Sequence, residues 1–212
     1  MWFSSLLNNA ISLVRQFRRP YLIINIVYYS LVLVSMAYVT FHPEMQDMLL
    51  NAVLASFTQG PLAIVVEAYA SGNVLMSIAL TFGVNFALAS VLVIFVPSLI
   101  IPFSGVLIGL VRAVLWGLLL APTTPELQAA MIPHSLTLVV EGQAYILAML
   151  GAWILGCAFI SPRSVGALSW GKGYVQGVRN GASIYLLVAI VLAVAAVYEV
   201  LEVIYLVPLL TP

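Results

Sequence analysis

The chain has 212 residues, of which 64% are hydrophobic and only 7% are charged, whereas soluble domains carry about 25% charged residues. This composition excludes an ordinary soluble domain and predicts an all-α, polytopic membrane helix bundle that forms one domain over residues 1–212. The formal net charge is zero. Because no basic patch exists to neutralise phosphates, we expect no nucleic-acid partner.

Residues 1–19 predict an amphipathic helix that lies in the membrane interface. Apolar side chains such as Leu6 and Leu13 recur there at helical spacing, with polar residues such as Asn9 between them. A long apolar run over residues 21–39 follows and predicts the first transmembrane span. Its length exceeds the apolar region of about 7–15 residues in a cleaved signal peptide, so we expect the span to be retained.

The segment 40–73 contains three acidic residues and no basic residue. Pro43 and Gly60 divide it into two short apolar pieces, which are too short to cross a bilayer. We therefore predict short re-entrant or surface-lying helices on the outer side of the membrane.

Four further spans are predicted over residues 74–100, 102–121, 134–159 and 182–207, which makes five in total. Loops are predicted at 122–133 and 161–181.

Six of the seven Lys and Arg residues form two clusters that flank spans. Three precede the first span and three precede the last: Arg15, Arg18, Arg19, Arg163, Lys172 and Arg179. Cytoplasmic loops carry an excess of such residues. The pattern predicts a cytoplasmic N-terminus and a C-terminus on the outer side.

Stripes of small residues run along two of the predicted spans, and such residues allow helices to approach closely in lipid. The helix-packing candidates are Gly105, Gly109, Ala144, Ala148, Ala152 and Gly156. They predict seams inside the bundle or, for some of them, contacts in a homo-oligomer.

Several polar residues fall at bilayer depth, where an ionisable side chain costs about 2.5 kcal/mol or more. The predicted buried polar cluster consists of Asn85, Arg112, Glu141, Gln143 and Glu199. We expect Arg112 to form an ion pair with Glu141 or Glu199. Such a pair favours a structural lock, with a proton or ion path as the alternative. Glu202 is nearer the outer interface and is expected to reach the lipid headgroups.

No motif for catalysis, metal binding or cofactor binding is present in the sequence. It has no HExxH and no phosphate-binding glycine loop followed by Lys. His42 and His134 are too few to indicate a metal site, and Cys157 is expected to be a small buried apolar residue. We therefore expect no catalytic residues, no metal and no cofactor, and we expect that the protein is not an enzyme.

A specific pattern begins at Pro133 and His134, which open a span and are followed by Glu141 and small residues. In the last span, small residues and Glu199 precede Pro208. Over residues 73–208 the chain resembles the stage II sporulation protein M family, although it has Ser135 where that family usually has Gly. The resemblance implies an integral membrane protein of a prokaryotic plasma membrane. It also implies Pro133, His134, Glu141 and Glu199 as family-motif residues.

Two functions follow as hypotheses. The favoured one is a non-enzymatic membrane scaffold of the stage II sporulation protein M type, linked to envelope remodelling. Its expected partners are membrane lipids, membrane or envelope proteins, and a second copy of the chain. The alternative is a transporter or permease subunit in which Arg112, Glu141 and Glu199 line a polar path.

Overall fold

The structure, a computed structural model, describes residues 2–60 and 62–210. It is all-helical, with 89% of the residues in helices and no strand in the described ranges. In chain order, the helices are α1 (Trp2–Gln16), α2 (Arg18–Thr40), α3 (Pro43–Gln59), α4 (Ala63–Ala70), α5 (Val74–Ser98), α6 (Ser104–Leu120), α7 (Pro125–Ile160) and α8 (Trp170–Leu210).

Four of these helices, α2, α5, α7 and α8, are long and apolar enough to cross a membrane. Helix α6 is also apolar but is shorter than the other four. The composition and the helix lengths are therefore those of a membrane protein, as the sequence predicts.

Helix α7 begins at Pro125, so the prediction of a loop over residues 122–133 is wrong. The Thr124 hydroxyl accepts a hydrogen bond from the Leu127 amide at 3.3 Å and caps the helix, while Pro125 occupies the first turn, where it needs no amide hydrogen. Pro133 lies inside the helix instead of at its start. A proline inside a membrane helix is tolerated when neighbouring helices satisfy the carbonyl groups that it frees.

Helix α8 likewise begins before its predicted span, at Trp170 instead of residue 182. The loop over residues 161–169 contains a single 3₁₀ turn, Pro162–Val165. Lys172 and Arg179 consequently lie on the first turns of α8 and not in a loop.

Helices α5 and α8 each contain a π-helical segment, Val84–Phe95 in α5 and Glu202–Leu206 in α8. In the first of them, the Ser90 hydroxyl donates to the carbonyl of Asn85, five residues earlier, at 2.9 Å. Segments of π-helix occur frequently at functional sites. The segments contain Asn85 and Glu202, which both belong to the polar interior.

A tight turn joins α5 to α6. The Ser98 hydroxyl donates to the Ile94 carbonyl and accepts from the Gly105 amide, both at 2.9 Å. Phe103 adopts a φ of 64° just before α6 begins. The hydroxyl of Ser98, which is itself buried, thus satisfies the backbone at both ends of the turn.

Helix α7 is the centre of the bundle, and between Glu141 and Ala158 it is buried on nearly every side. All six small residues predicted for helix packing are buried. Gly105 lies against the Ile94 carbonyl and Ala152, Gly109 lies against Met149, and Gly156 lies against the Phe103 ring. These seams therefore join α5, α6 and α7 within one chain.

Helices α1, α3 and α4 pack on the outside of this bundle. The buried side of α1, with Ala10 and Leu13, contacts α8, and Asn9 donates to the Ser183 hydroxyl at 3.2 Å. Gln46 anchors α3: its amide nitrogen donates to the carbonyls of Leu119 at 3.0 Å and Ala121 at 2.9 Å. Helix α4 contacts α5.

Candidate functional site: a buried carboxyl pair beside a cavity

A chain of hydrogen bonds connects α5, α6 and α7 at the middle of the bundle. Asn85 donates to the Glu141 carboxylate at 2.5 Å and accepts from the Tyr145 hydroxyl at 3.0 Å. Arg112 in turn donates to the Tyr145 hydroxyl at 2.8 Å. The side chains of Asn85 and Tyr145 therefore connect the Arg112 guanidinium to the Glu141 carboxylate through hydrogen bonds.

Arg112 is held by aromatic rings as well as by this hydrogen bond. The centre of its guanidinium lies 4.1 Å from the Tyr145 ring centroid and 4.9 Å from that of Trp116. Contacts of a cation with aromatic faces are strongest where water is excluded.

The expected ion pair of Arg112 with Glu141 or Glu199 does not form. Among the described residues, ion pairs join only the histidines His42 and His134 to carboxylates. The prediction used the depth of each residue along its helix, but depth does not give the rotation of the helix about its axis. Tyr145 and Asn85 occupy the space between the opposite charges.

The carboxyl groups of Glu141 and Glu199 lie beside each other, within range of direct side-chain interaction. Glu141 is only 4% exposed. Two carboxylates this close repel strongly when both are ionised, and a proton or another cation between them relieves the repulsion. The pair therefore has the chemistry of a cation-binding element.

A cavity of about 310 Å³ reaches this pair from between α4, α5 and α8. Its wall is mostly apolar, with four polar side chains among the lining residues: Val65, Val66, Tyr69, Thr81, Val84, Asn85, Glu199 and Val203. The Tyr69 and Thr81 hydroxyls are hydrogen-bonded to each other at 2.9 Å. A mostly apolar cavity with a few convergent polar groups is typical of a small-molecule site.

Several polar atoms around the pair have no hydrogen-bond partner among the described residues, although they are buried. They include one carboxylate oxygen of Glu199, the Nε of Arg112 and the Tyr28 hydroxyl. Buried polar groups in native proteins nearly always have a protein, water or ligand partner. The three atoms near the pair therefore leave hydrogen-bonding capacity that the described residues do not use.

Glu202 belongs to a second, separate polar contact, so the expectation that it reaches the lipid headgroups is wrong. It is 1% exposed, and its two oxygens contact His134 Nδ1 at 2.7 Å and the Thr137 hydroxyl at 2.5 Å. Thr137 and His134 are three residues apart and share a face of α7. The contact therefore ties α7 to the π-helical segment of α8.

Replacing Glu202 with leucine is expected to lower the free energy of unfolding by about 1–2 kcal/mol, because His134 and Thr137 then lose their acceptor. Detergent-titrated unfolding would measure the change. Glu67→Leu is the matched control, since Glu67 is exposed on α4 and its carboxylate makes no hydrogen bond or ion pair with the other described residues. Equal effects of the two substitutions would contradict a stabilising role of the Glu202 contact.

Gln143 does not join the site, although the sequence groups it with Glu141. It lies between α2 and α7, where its oxygen accepts from the Tyr21 hydroxyl at 2.7 Å and its nitrogen donates to Asn25 at 2.8 Å and to the Tyr29 hydroxyl at 3.0 Å. Tyr21, Asn25 and Tyr29 are four residues apart and share one face of α2. Gln143 thus holds two helices together and is not part of the carboxyl pair.

The sequence patterns do not identify the tyrosines and Thr81, which complete the site. Tyr145 links Arg112 to Asn85, Tyr28 lies nearby, and Tyr69 lines the cavity with Thr81. A signal was present, because Tyr145 lies four residues after Glu141 and therefore shares its face of α7. Tyrosine has both an apolar ring and a hydroxyl, and the cost of ionisable and amide groups at bilayer depth does not single it out.

The family-motif residues do not form one group either. Glu141 and Glu199 are together at the carboxyl pair, whereas His134 contacts Glu202, and the Pro133 carbonyl accepts from the Tyr198 hydroxyl at 3.1 Å. In the described part of the chain, no group of three or more His, Cys, Asp or Glu side chains has an arrangement that could hold a metal ion.

Comparisons of the chain with protein-family models, with curated proteins and with solved structures give no match. The geometry of the site is therefore the basis for any statement about function.

Proposed function

We propose that the protein is a multi-pass membrane protein that takes up a proton or a small cation at the Glu141–Glu199 carboxyl pair, as a transporter or permease subunit would. The observation that carries the proposal is the cavity of about 310 Å³ that has Glu199 and Asn85 in its wall. An ionisable residue at bilayer depth that faces a cavity is typical of an ion or proton pathway.

The proposed topology has five spans, a cytoplasmic N-terminus and the C-terminus outside. Helix α6 has 17 residues, which corresponds to about 26 Å at 1.5 Å per residue and is close to the hydrocarbon thickness of about 30 Å. Six of the seven basic residues then fall near the cytoplasmic ends of the helices. Both carboxylates lie on spans, α7 and α8.

The contacts around Arg112 support a pathway that is open from one side only. The cavity wall contains Asn85 and Glu199 but not Arg112, whose positive charge would repel a cation that moved further. Beyond Arg112, towards the start of α6, Gly109 packs directly against Met149. Passage across the membrane then requires a rearrangement, and the π-helical segments beside the site are suited to a local change of helix register.

Cation flux into proteoliposomes tests the proposal. The expected result is flux of H⁺, Na⁺, K⁺ or methylammonium above that of protein-free liposomes, reduced at least about tenfold by Glu199→Gln because the amide cannot bind a cation as the carboxylate does. Glu126→Gln is the control, since Glu126 is exposed and lies outside the site. Flux equal to that of empty liposomes for all four cations would contradict the proposal.

A second candidate function is the membrane scaffold of the stage II sporulation protein M type, in a prokaryotic plasma membrane. The observation that favours it is the exposure of α3, where Met48 is 65% and Leu54 is 60% exposed, while Gln46 is the one buried residue among those of the helix whose side chains the structure describes. A helix with large exposed apolar side chains offers a surface to a partner protein. The resemblance of residues 73–208 to that family supports the same candidate.

The Glu199→Gln variant separates the two candidates in the native host. A scaffold keeps its cellular role when the folded variant replaces the original protein, because its docking surface is unchanged. A cation pathway loses that role although the variant is present at the normal level in the membrane. The comparison requires only a growth or envelope phenotype of the deletion strain.

A further inference from the structure

Two adjoining open cavities, each of about 580 Å³, follow the first turns of α8 at the end of the bundle opposite the carboxyl pair. They share Gln176 and Arg179 and therefore form one groove, which we name the α1–α8 groove. Its remaining lining residues are Leu6, Asn9, Gly171, Lys172, Val175, Asn180, Ala182, Ser183 and Leu186. None of these side chains is acidic.

Lys172 and Arg179 are the charged residues of the groove. Both are exposed, and neither the Lys172 ammonium nor the Arg179 guanidinium makes a hydrogen bond or an ion pair with the other residues that the structure describes. They are two helical turns apart on one face of α8, about 10 Å along the axis. Two unpaired cations at this spacing leave room for an anionic group between them.

Uncharged hydrogen-bonding side chains lie next to the two cations. The Gln176 side-chain amide donates to Oδ1 of the Asn180 side chain at 2.8 Å, and the Asn9 side-chain amide of α1 donates to the Ser183 hydroxyl at 3.2 Å. These amides have further hydrogen atoms with which they can donate to phosphate oxygens.

The other half of the groove is apolar. Leu6 of α1 faces Ala182 and Leu186 of α8 across it, and these residues lie further along α8, towards the middle of the bundle. The groove thus passes from a basic end at the helix start to an apolar end at greater depth. A phospholipid has the same order, with a charged headgroup above an acyl chain.

We propose that the α1–α8 groove binds one anionic phospholipid. Its phosphate contacts Arg179 and Lys172, and one acyl chain lies against Leu6, Ala182 and Leu186. The charge distribution of the chain agrees, because the acidic residues lie outside the segments that form this end, whereas Arg15, Arg18, Arg19 and Arg163 lie within or beside them. Basic pockets between membrane helices on the cytoplasmic side are suited to anionic headgroups. The proposal does not depend on the cation pathway.

Native mass spectrometry of the delipidated full chain, titrated with phosphatidylglycerol or phosphatidylcholine, tests it. We expect tighter binding of phosphatidylglycerol and an about 30-fold loss in the K172Q/R179Q variant, or about fivefold per charge. The R18Q/R19Q variant removes two exposed charges at the same end but outside the groove. It should retain the original affinity within about twofold, because its charges act only at a distance.

Equal losses in the two double variants would overturn the proposal, since binding would then reflect the general charge of this end. The variant Ala182→Trp keeps both charges but fills the apolar half, and we expect it to weaken phosphatidylglycerol binding by about tenfold or more. Unchanged binding in this variant, or equal competition by soluble glycerol phosphate, would show that no acyl chain lies in the groove. The reactivity of Cys157 towards a thiol dye on heating verifies that each variant is folded.

Discussion

Replacing Asn85 with leucine is expected to destabilise the protein by about 2–3 kcal/mol, because the Glu141 carboxylate loses a donor and the Tyr145 hydroxyl loses its acceptor. Leucine has the same number of side-chain heavy atoms and the same branching at Cγ as asparagine, so the change removes hydrogen bonds without opening a cavity. Unfolding in a sodium dodecyl sulfate titration measures the effect. The same variant should abolish cation flux, since Asn85 lines the cavity beside Glu199.

Asn51→Leu is the matched control for this experiment. Asn51 is exposed on α3, and the same substitution there should change the free energy of unfolding by less than about 0.5 kcal/mol. If Asn85→Leu is no more destabilising than Asn51→Leu, then Asn85 does not connect the charges as the hydrogen bonds indicate.

Replacing Gly117 with alanine is expected to destabilise the bundle by about 1–3 kcal/mol, the usual effect of overpacking a dense interior. A β-carbon at this position meets the backbone carbonyl of Val32 and the side chain of Ser35, where α6 contacts α2. A backbone atom cannot move aside without shifting its helix. The same unfolding titration measures the change.

Gly83→Ala provides the opposite control. Gly83 has a φ of −60°, and nothing lies within 4 Å of an added β-carbon. Alanine is favoured over glycine in such a helical position by about 0.5–1 kcal/mol. A stabilising effect of Gly117→Ala similar to that of Gly83→Ala would mean that α2 and α6 are not in close contact.

Most of the helix positions follow from the sequence, because long apolar runs and flanking charges are strong signals. The residues at which α7 and α8 begin do not follow from the sequence. Pro133 and the glycines between residues 170 and 180 favour loops by their type, yet they lie inside α7 and α8, since packing within a bundle overrides local propensity. The π-helical segment around Asn85 has no recognised sequence signal at all.

Most of the charged and amide residues of the site can be predicted from the sequence, but the contacts between them cannot. Asn85, Arg112, Glu141 and Glu199 were identified by the cost of polar groups at bilayer depth. The sequence does not predict which of these residues contact one another, because a small rotation of α6 decides whether Arg112 faces a carboxylate or an aromatic ring. Glu202 was assigned to the headgroup region from its position near the end of the span, but His134 and Thr137 bind it inside the bundle.

The proposed function rests on a cavity that brings water to the carboxyl pair, and cysteine accessibility tests this most directly. In a Cys157→Ser background, Val84→Cys introduces a thiol into the cavity wall, and Leu88→Cys introduces one further along α5, at a position that is 39% exposed but outside the cavity. In sealed proteoliposomes, a membrane-impermeant thiol reagent should modify the thiol at position 84 from one side and leave the one at position 88 unmodified, because lipid covers it. An unreactive thiol at position 84 would contradict the account.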